Sequence, residues 1–270
     1  MEKCGIINII TQELRGIFMK ALITGATSGI GMSFAKILSK KGWSLILTGR
    51  NKEMLCKLRD ELDTEVEIFC ADLANKEQVM DLYEFSRSKS VDLLINNAGF
   101  GLFGNFDETD LKTELELLNV NITALHILTK LFLRDFKKRN KGKIINVASV
   151  AAFMPGPLLS SYYASKSYIL RLSLAIAEEL RHDKSNVTIT VLCPGPVDTN
   201  FNNRAGVSFS VKPISPDYAA GYALKKAFSG KLLAIPNLAI QLAAFGSRFV
   251  PNKILSSIVY NVQKRKRADK

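Results

Sequence analysis

The sequence predicts an α/β fold of the doubly wound kind, with one parallel sheet of about seven strands covered by helices on both faces. Two observations carry this. From residue 20 onward, short, largely apolar strand signals alternate with amphipathic helix signals. Strands of that kind are buried on both faces, which is the parallel arrangement. The first strand also runs through a glycine-rich turn straight into a helix, the opening of a sheet that binds ligands at the carboxyl ends of its strands. A chain of 270 residues is long enough for one such unit and a large core.

The elements follow in order. Lys20 to Thr24 is a strand, and Gly29 to Lys41 a helix with Ile30, Phe34, Ile37 and Leu38 on one face. Strands at Ser44–Thr48, Val66–Cys70 and Val91–Asn96 are separated by helices at Lys52–Leu62 and Lys76–Ser86. A long helical stretch from Asp110 to Arg139 leads to a strand at Lys143–Val147, a helix at Tyr162–Leu180 and a strand at Val187–Leu192. Ser215–Phe228 reads as a helix and Lys231–Ile235 as a last short strand. Right-handed crossovers then wind the sheet in both directions. Residues 19–235 are expected to form the catalytic domain. Residues 1–18 form an N-terminal extension that makes a poor secretory signal, and Met19 reads as a natural start, so the extension is expected to be dispensable.

Composition narrows the function classes. No unbroken apolar run reaches the ~18 residues of a membrane-spanning helix. Four scattered cysteines with no Cys-x-x-Cys pair, and only two histidines, leave no set for a structural metal. The same cysteine usage points to a reducing cytoplasm. The net charge is +12, part of it concentrated where Lys253, Lys264, Arg265, Lys266, Arg267 and Lys270 face Asp269 alone. Such a run reads as a solvated tail or as attraction to an anionic membrane surface or phosphorylated ligand. Nucleic acid is not expected, because no aromatic–basic interleaving or recognition motif accompanies the charge.

The first strand's turn reads Thr24-Gly25-Ala26-Thr27-Ser28-Gly29-Ile30-Gly31. Side-chain-free positions let backbone N–H groups approach phosphates, the helix N-terminus adds positive potential, and Thr27 and Ser28 add hydroxyl donors. At the end of the second strand, where a carboxylate would hold a ribose 2′-OH, the first charged residue is Arg50. A guanidinium there matches a 2′-phosphate, which favours NADP(H) over NAD(H).

With these blocks in place, the chain resembles a short-chain dehydrogenase/reductase of the ordinary single-domain type, a Rossmann-type fold, over about residues 19–200. Further blocks match in order. The resemblance implies that Asp72-Leu73 contacts adenine and that Asn97-Ala98-Gly99, within Asn96-Asn97-Ala98-Gly99, is a cofactor-adjacent turn. It implies that Asn121 interrupts its helix to hold a proton-relay water. It also makes Pro194, Gly195, Val197 and Thr199 a nicotinamide-side turn, and implies a homodimer or homotetramer.

The candidate chemistry centres on Ser149, Tyr162 and Lys166. Tyr-x-x-x-Lys spacing alone proves little, since Tyr222–Lys226 and Tyr260–Lys264 repeat it. Context separates Tyr162–Lys166: Ser149 ends the preceding strand, and the helix follows a loop at the sheet's carboxyl edge. Carbonyl reduction needs a hydride at carbon and a proton at oxygen. Moving a phenol from a pKa of ~10 to ~7 takes about 4 kcal/mol, and one cation at ~4 Å in an effective dielectric of ~20 supplies about that much, so Lys166 with help from the oxidised nicotinamide suffices in principle. Tyr162 is therefore the expected acid–base group. Ser149 is expected to hold the substrate oxygen, and Lys166 to tune the phenol and bind the nicotinamide ribose. Tyr163 competes for the tyrosine role, but the family spacing selects Tyr162.

Ala151, Phe153 and Tyr163 are expected at the substrate, with Phe100, Phe103, Pro155 and Leu158 nearby, suggesting an apolar ketone, aldehyde or 3-oxoacyl group. Residues 200–214 read as a lid. The amphipathic, basic segment 236–270 reads either as packing beside the lid or another subunit, or as peripheral membrane contact. The leading expectation is an NADPH-dependent oxidoreductase; the alternative is a non-catalytic NADP(H)-binding regulator on the same fold.

Overall fold

The computed structural model describes residues 19–199 and 213–268, with side chains to residue 264. The N-terminal extension 1–18, most of the expected lid (200–212), and the side chains of the terminal basic run lie outside the described residues. Seven parallel strands form one sheet: β1 (Lys20–Thr24), β2 (Ser44–Gly49), β3 (Val66–Cys70), β4 (Leu93–Asn96), β5 (Lys143–Val147), β6 (Thr188–Leu192) and β7 (Leu233–Ala234). Their order is β3-β2-β1-β4-β5-β6-β7, so the winding reverses between β1 and β4.

Helices cover both faces. α1 (Gly29–Ser39), α2 (Lys52–Asp60) and α7 (Pro216–Phe228) pack on one; α3 (Lys76–Arg87), α5 (Leu125–Lys138) and α6 (Ser160–His182) pack on the other. The central strands are mostly apolar because they supply both layers. Ala21 and Ile23 join Phe34, Leu38 and Leu224 on one face, while Leu22 joins Leu82, Phe132 and Phe136 on the other. Asn51 and Asn75 cap α2 and α3, each accepting a backbone N–H bond from within the first turn.

The long helical stretch is α4 (Leu111–Leu118), a π-helical turn at Asn119–Ala124, and α5. The interruption expected at Asn121 is thus present. Together they make one helix long and apolar enough, by length and composition, to cross a membrane. Here its inward residues Leu117, Leu128, Phe132 and Phe136 are buried in the protein core.

Two parts of the outline differ from expectation. The last strand keeps only two residues, paired with β6 through Val191–Leu233 and Leu192–Ala234, because the chain turns away at Pro236. After it, α8 (Leu238–Gly246) and α9 (Asn252–Ala268) form two helices separated by Gly246 and Pro251. Leu255 and Val259 of α9 are buried.

A buried polar chain crosses the sheet centre. Asn96 Nδ2 donates to Thr129 Oγ1 at 3.0 Å and to Asn146 Oδ1 at 2.9 Å, and Asn146 Nδ2 donates to Ser173 Oγ at 3.0 Å. These groups fix α5 and α6 against the middle strands, and deleting one partner leaves the others desolvated and unpaired. Asn146→Ala is expected to lower unfolding free energy by about 2 kcal/mol in urea titrations.

Candidate active site

The site lies where the strand order reverses. The turn after β1 and the turn after β4 meet there, and Asn97 locks them together. Its amide donates to the carbonyls of Thr24 and Gly25 at 2.9 and 3.1 Å, while Thr24 Oγ1 accepts the N–H groups of Asn97 and Ala98. Gly25 and Gly29 take φ of +64° and +52°, values that favour glycine. A Cβ on Gly31 would fall 2.2 Å from the Gly25 carbonyl oxygen, so the helix could not approach the turn with any side chain there. Ser28, the N-cap of α1, makes no side-chain cap hydrogen bond. The first N–H groups of the helix are thus available to an anion, unlike those of α2 and α3. These features fit a nicotinamide dinucleotide, with its phosphates on the glycine turn.

The cleft has a volume of about 400 Å³. Gly25, Thr27, Ser28, Gly29 and Ile30 form its floor at one end, and Arg50, Asp72 and Leu73 line the β2–β3 end. Asn97, Ala98 and Gly99 line its middle, with Pro194, Gly195, Val197 and Thr199 opposite. At the far end stand Ser149, Ala151, Tyr162, Tyr163 and Lys166. Most of the expected site residues are thus gathered around one space.

Three are placed differently. Gly31 is buried beneath the cradle and does not line the cleft; its place is set by the close approach to Gly25. Asn121 is fully buried one layer behind: its Oδ1 accepts from Phe100 N at 3.0 Å, and its Nδ2 donates to Phe100 O at 2.9 Å and Ser165 Oγ at 3.0 Å. It therefore clamps the loop after β4 to the π-helical turn and α6. Phe153, expected at the substrate, does not line the cleft. Its ring packs with the cluster of Leu125, Ile169 and Ile240, because the 3-10 turn Val150–Phe153 rotates it away from Ala151.

Ser149 Oγ accepts the Ala151 N–H at 3.2 Å, and its hydroxyl lies beside the Tyr162 phenol, where it favours the ionised form. Lys166 Nζ lies 5.7 Å from the Tyr162 ring centroid and donates to the Val147 carbonyl at 3.0 Å. A Cβ on Gly99 would meet Asn121 Oδ1 at 2.9 Å and Lys166 Nζ at 3.3 Å, so both lie against that turn.

Burial sets the electrostatics of this end of the cleft. It holds the Tyr162 phenol above its ordinary range, opposed by the Ser149 hydroxyl. Burial lowers Lys166 to about 8. Desolvation is the largest influence on both groups, and it favours the neutral form of each.

Sequence reasoning missed Val262 and Gln263 of α9, which also line the cleft. A signal existed: Leu255, Val259 and Gln263 recur at helical spacing, with an amide completing an otherwise apolar stripe.

A parallel sheet with a glycine cradle at its reversal point and a Ser–Tyr–Lys group across the cleft defines a nicotinamide-dependent oxidoreductase site. The short-chain dehydrogenase family model matches residues 19–207, and the chain belongs to that family. A very-long-chain 3-oxoacyl-CoA reductase of Anas platyrhynchos is 30% identical over 213 residues, 75% of this chain and 67% of that protein. A short-chain dehydrogenase from Sphingobium yanoikuyae, solved with NADPH, has a TM-score of 0.78 and 31% identity over 86% of this chain and 94% of its own. An enzyme of the family from Burkholderia phymatum, solved with NAD, shares the fold with a TM-score of 0.77 and 24% identity, over 84% of this chain and 92% of its own.

The lowered Lys166 pKa has a consequence for stability. Between pH 8 and 10.5 the unfolded chain holds a proton that the folded protein has lost, so stability gains with rising pH across that window. Below pH 8 the full cost of burying the charge is present. The unfolding free energy of the wild-type protein relative to Lys166→Met is expected to shift in the wild type's favour from pH 7 to pH 10, measured in urea. A difference independent of pH contradicts the assignment.

Proposed function

We propose that the protein is an NADPH-preferring oxidoreductase of apolar ketone, aldehyde or 3-oxoacyl substrates and the matching alcohols. The carrying observation is that Ser149, Tyr162 and Lys166 line one end of a cleft whose other end is a phosphate cradle. When bound, the cofactor supplies or accepts the hydride. Ser149 and Tyr162 hold the substrate oxygen from two sides. In reduction the carbonyl carbon takes the hydride, and Tyr162 gives its proton to the oxygen. The phenolate is re-protonated from solvent. In oxidation the phenolate removes the hydroxyl proton. Lys166, fixed by Val147 and facing Gly99, would bind the ribose hydroxyls. Asn121 holds the Phe100 loop in place.

Arg50 supports the cofactor preference. It is exposed at the end of β2 and lines the cleft, and its carbonyl accepts from Cys70 Sγ at 3.4 Å, which joins this turn to the end of β3. One solved neighbour holds NADPH and another holds NAD, so the preference rests on Arg50. Ala151 and Leu159 make the substrate end apolar, and the 3-oxoacyl-CoA reductase relative suits such a pocket.

Oxidation of NADPH and NADH with a panel of ketones, aldehydes and 3-oxoacyl thioesters tests this reading. Tyr162→Phe is expected to lower kcat at least about 100-fold. Arg50→Ser is expected to weaken NADPH about tenfold and leave NADH unchanged. Tight NADPH binding without turnover on any carbonyl would instead favour a non-catalytic regulator.

Peripheral contact with an anionic lipid surface is proposed through α8 and α9. Leu238, Leu242, Phe245 and Phe249 share a face and are 70%, 63%, 57% and 75% exposed. Arg248, Lys253 and Lys264 accompany them, and no acidic residue occurs between Asp217 and Asp269. An apolar face combined with basic charge favours an anionic interface. Vesicles containing phosphatidylglycerol should sediment the protein, and Leu242→Ser/Phe249→Ser should reduce binding at least about tenfold. Wild-type protein left in the supernatant would sink the idea.

A further inference from the structure

The inward stripe of α9 ends in an amide. Leu255, Val259 and Gln263 are 9%, 7% and 1% exposed, so Gln263 is the most deeply buried of the three. Its Nε2 donates to Tyr163 Oη at 2.7 Å. Its Oε1 is buried and has no hydrogen-bond partner among the described residues. A buried amide oxygen without a donor is costly, and an apolar residue would suit the stripe better if packing were its only purpose. Gln263 and Tyr163 line the same cleft as Ser149 and Tyr162, and the two tyrosine ring centroids lie 6.1 Å apart.

The pair has a definite hydrogen-bonding character. Tyr163 Oη, having accepted from Gln263, keeps its own proton to donate. Gln263 Oε1 keeps its lone pairs to accept. Turning the amide over exchanges the two roles and still leaves one donor and one acceptor. Burial pushes the Tyr163 phenol up, so it stays protonated at neutral pH. A group that both accepts and donates satisfies both atoms, and a hydroxyl is the smallest such group.

We propose that Tyr163 and Gln263 form a polar recognition pair for a second, hydroxyl-bearing position on an otherwise apolar carbonyl substrate. This rests on the oxidoreductase reading above and narrows its substrate class. The preferred substrates are hydroxy-ketones or the corresponding diols, with the second oxygen several bonds from the reacting carbon. Segment 252–268 thereby belongs to the substrate site, although it lies beyond the part of the chain that the family model matches.

The test uses isosteric pairs in which a methyl replaces the hydroxyl: 4-hydroxycyclohexanone against 4-methylcyclohexanone, and 5-hydroxypentan-2-one against hexan-2-one. Turnover is followed as NADPH oxidation, and binding to the NADPH-loaded protein by ligand-observed NMR. The wild-type protein should prefer the hydroxylated partner about tenfold in both readouts for at least one pair, equivalent to about 1.4 kcal/mol. Gln263→Met and Tyr163→Phe should each bring that ratio toward one, with thermal midpoints confirming that both variants are folded. Equal binding of the partners to the wild-type protein, or a preference that survives in folded Gln263→Met, overturns the proposal. A hydroxyl preference in binding without any turnover refutes the reductase reading alone and upholds the recognition pair.

Discussion

Lys166 is a buried ammonium, and the site is arranged around the way that charge is met. Lys166 is 4% exposed, its Nζ donates to the last carbonyl of β5 at 3.0 Å, and no carboxylate among the described residues pairs with it. Burial lowers its pKa to about 8 and raises that of the Tyr162 phenol. Each group therefore sits closer to its neutral form than it would in water. Two such groups make a site whose proton affinities depend on what enters the cleft. A positively charged nicotinamide and a ribose that accepts the ammonium would favour the phenolate, while an apolar substrate alone would not. The chemistry is thus tied to cofactor occupancy by desolvation rather than by the lysine alone.

That arrangement needs the loops around it held to within a hydrogen bond. Three polar contacts do this without lining the cleft as reacting groups. Asn97 closes the glycine turn onto β4. Asn121, on its π-helical turn, holds both backbone groups of Phe100. The Asn96–Asn146–Ser173 chain ties the sheet centre to α6, which carries Tyr162 and Lys166. Each uses a side-chain amide, which can donate and accept at once, in a place where water cannot substitute.

The fold was legible because its signals are local. Apolar strands, amphipathic helices and the Gly25–Gly31 turn each declare themselves within a few residues, and the double winding of the sheet follows from connection rules. The site's membership was legible for the same reason, since strand ends and the turns after them all reach the same edge of the sheet. Its energetics were not. Tyr162–Lys166 and Tyr222–Lys226 have similar geometry, with the ammonium 5.7 and 5.2 Å from the ring centroid. Burial, a tertiary property, is what sets the first apart. Phe153 was misplaced because a single 3-10 turn decides which way a side chain points, and Gln263 was missed because its meaning depends on where α9 docks.

The central claim is that Tyr162 is held protonated by burial until the cofactor is bound. An ultraviolet difference titration of tyrosinate, comparing wild type with Tyr162→Phe in the absence and presence of NADP+, measures this directly. The account predicts that the Tyr162 signal appears only above the ordinary phenol range in the cofactor-free protein and moves to lower pH when NADP+ is bound. A Tyr162 that ionises below the ordinary range without cofactor, or whose titration NADP+ leaves unmoved, would contradict it.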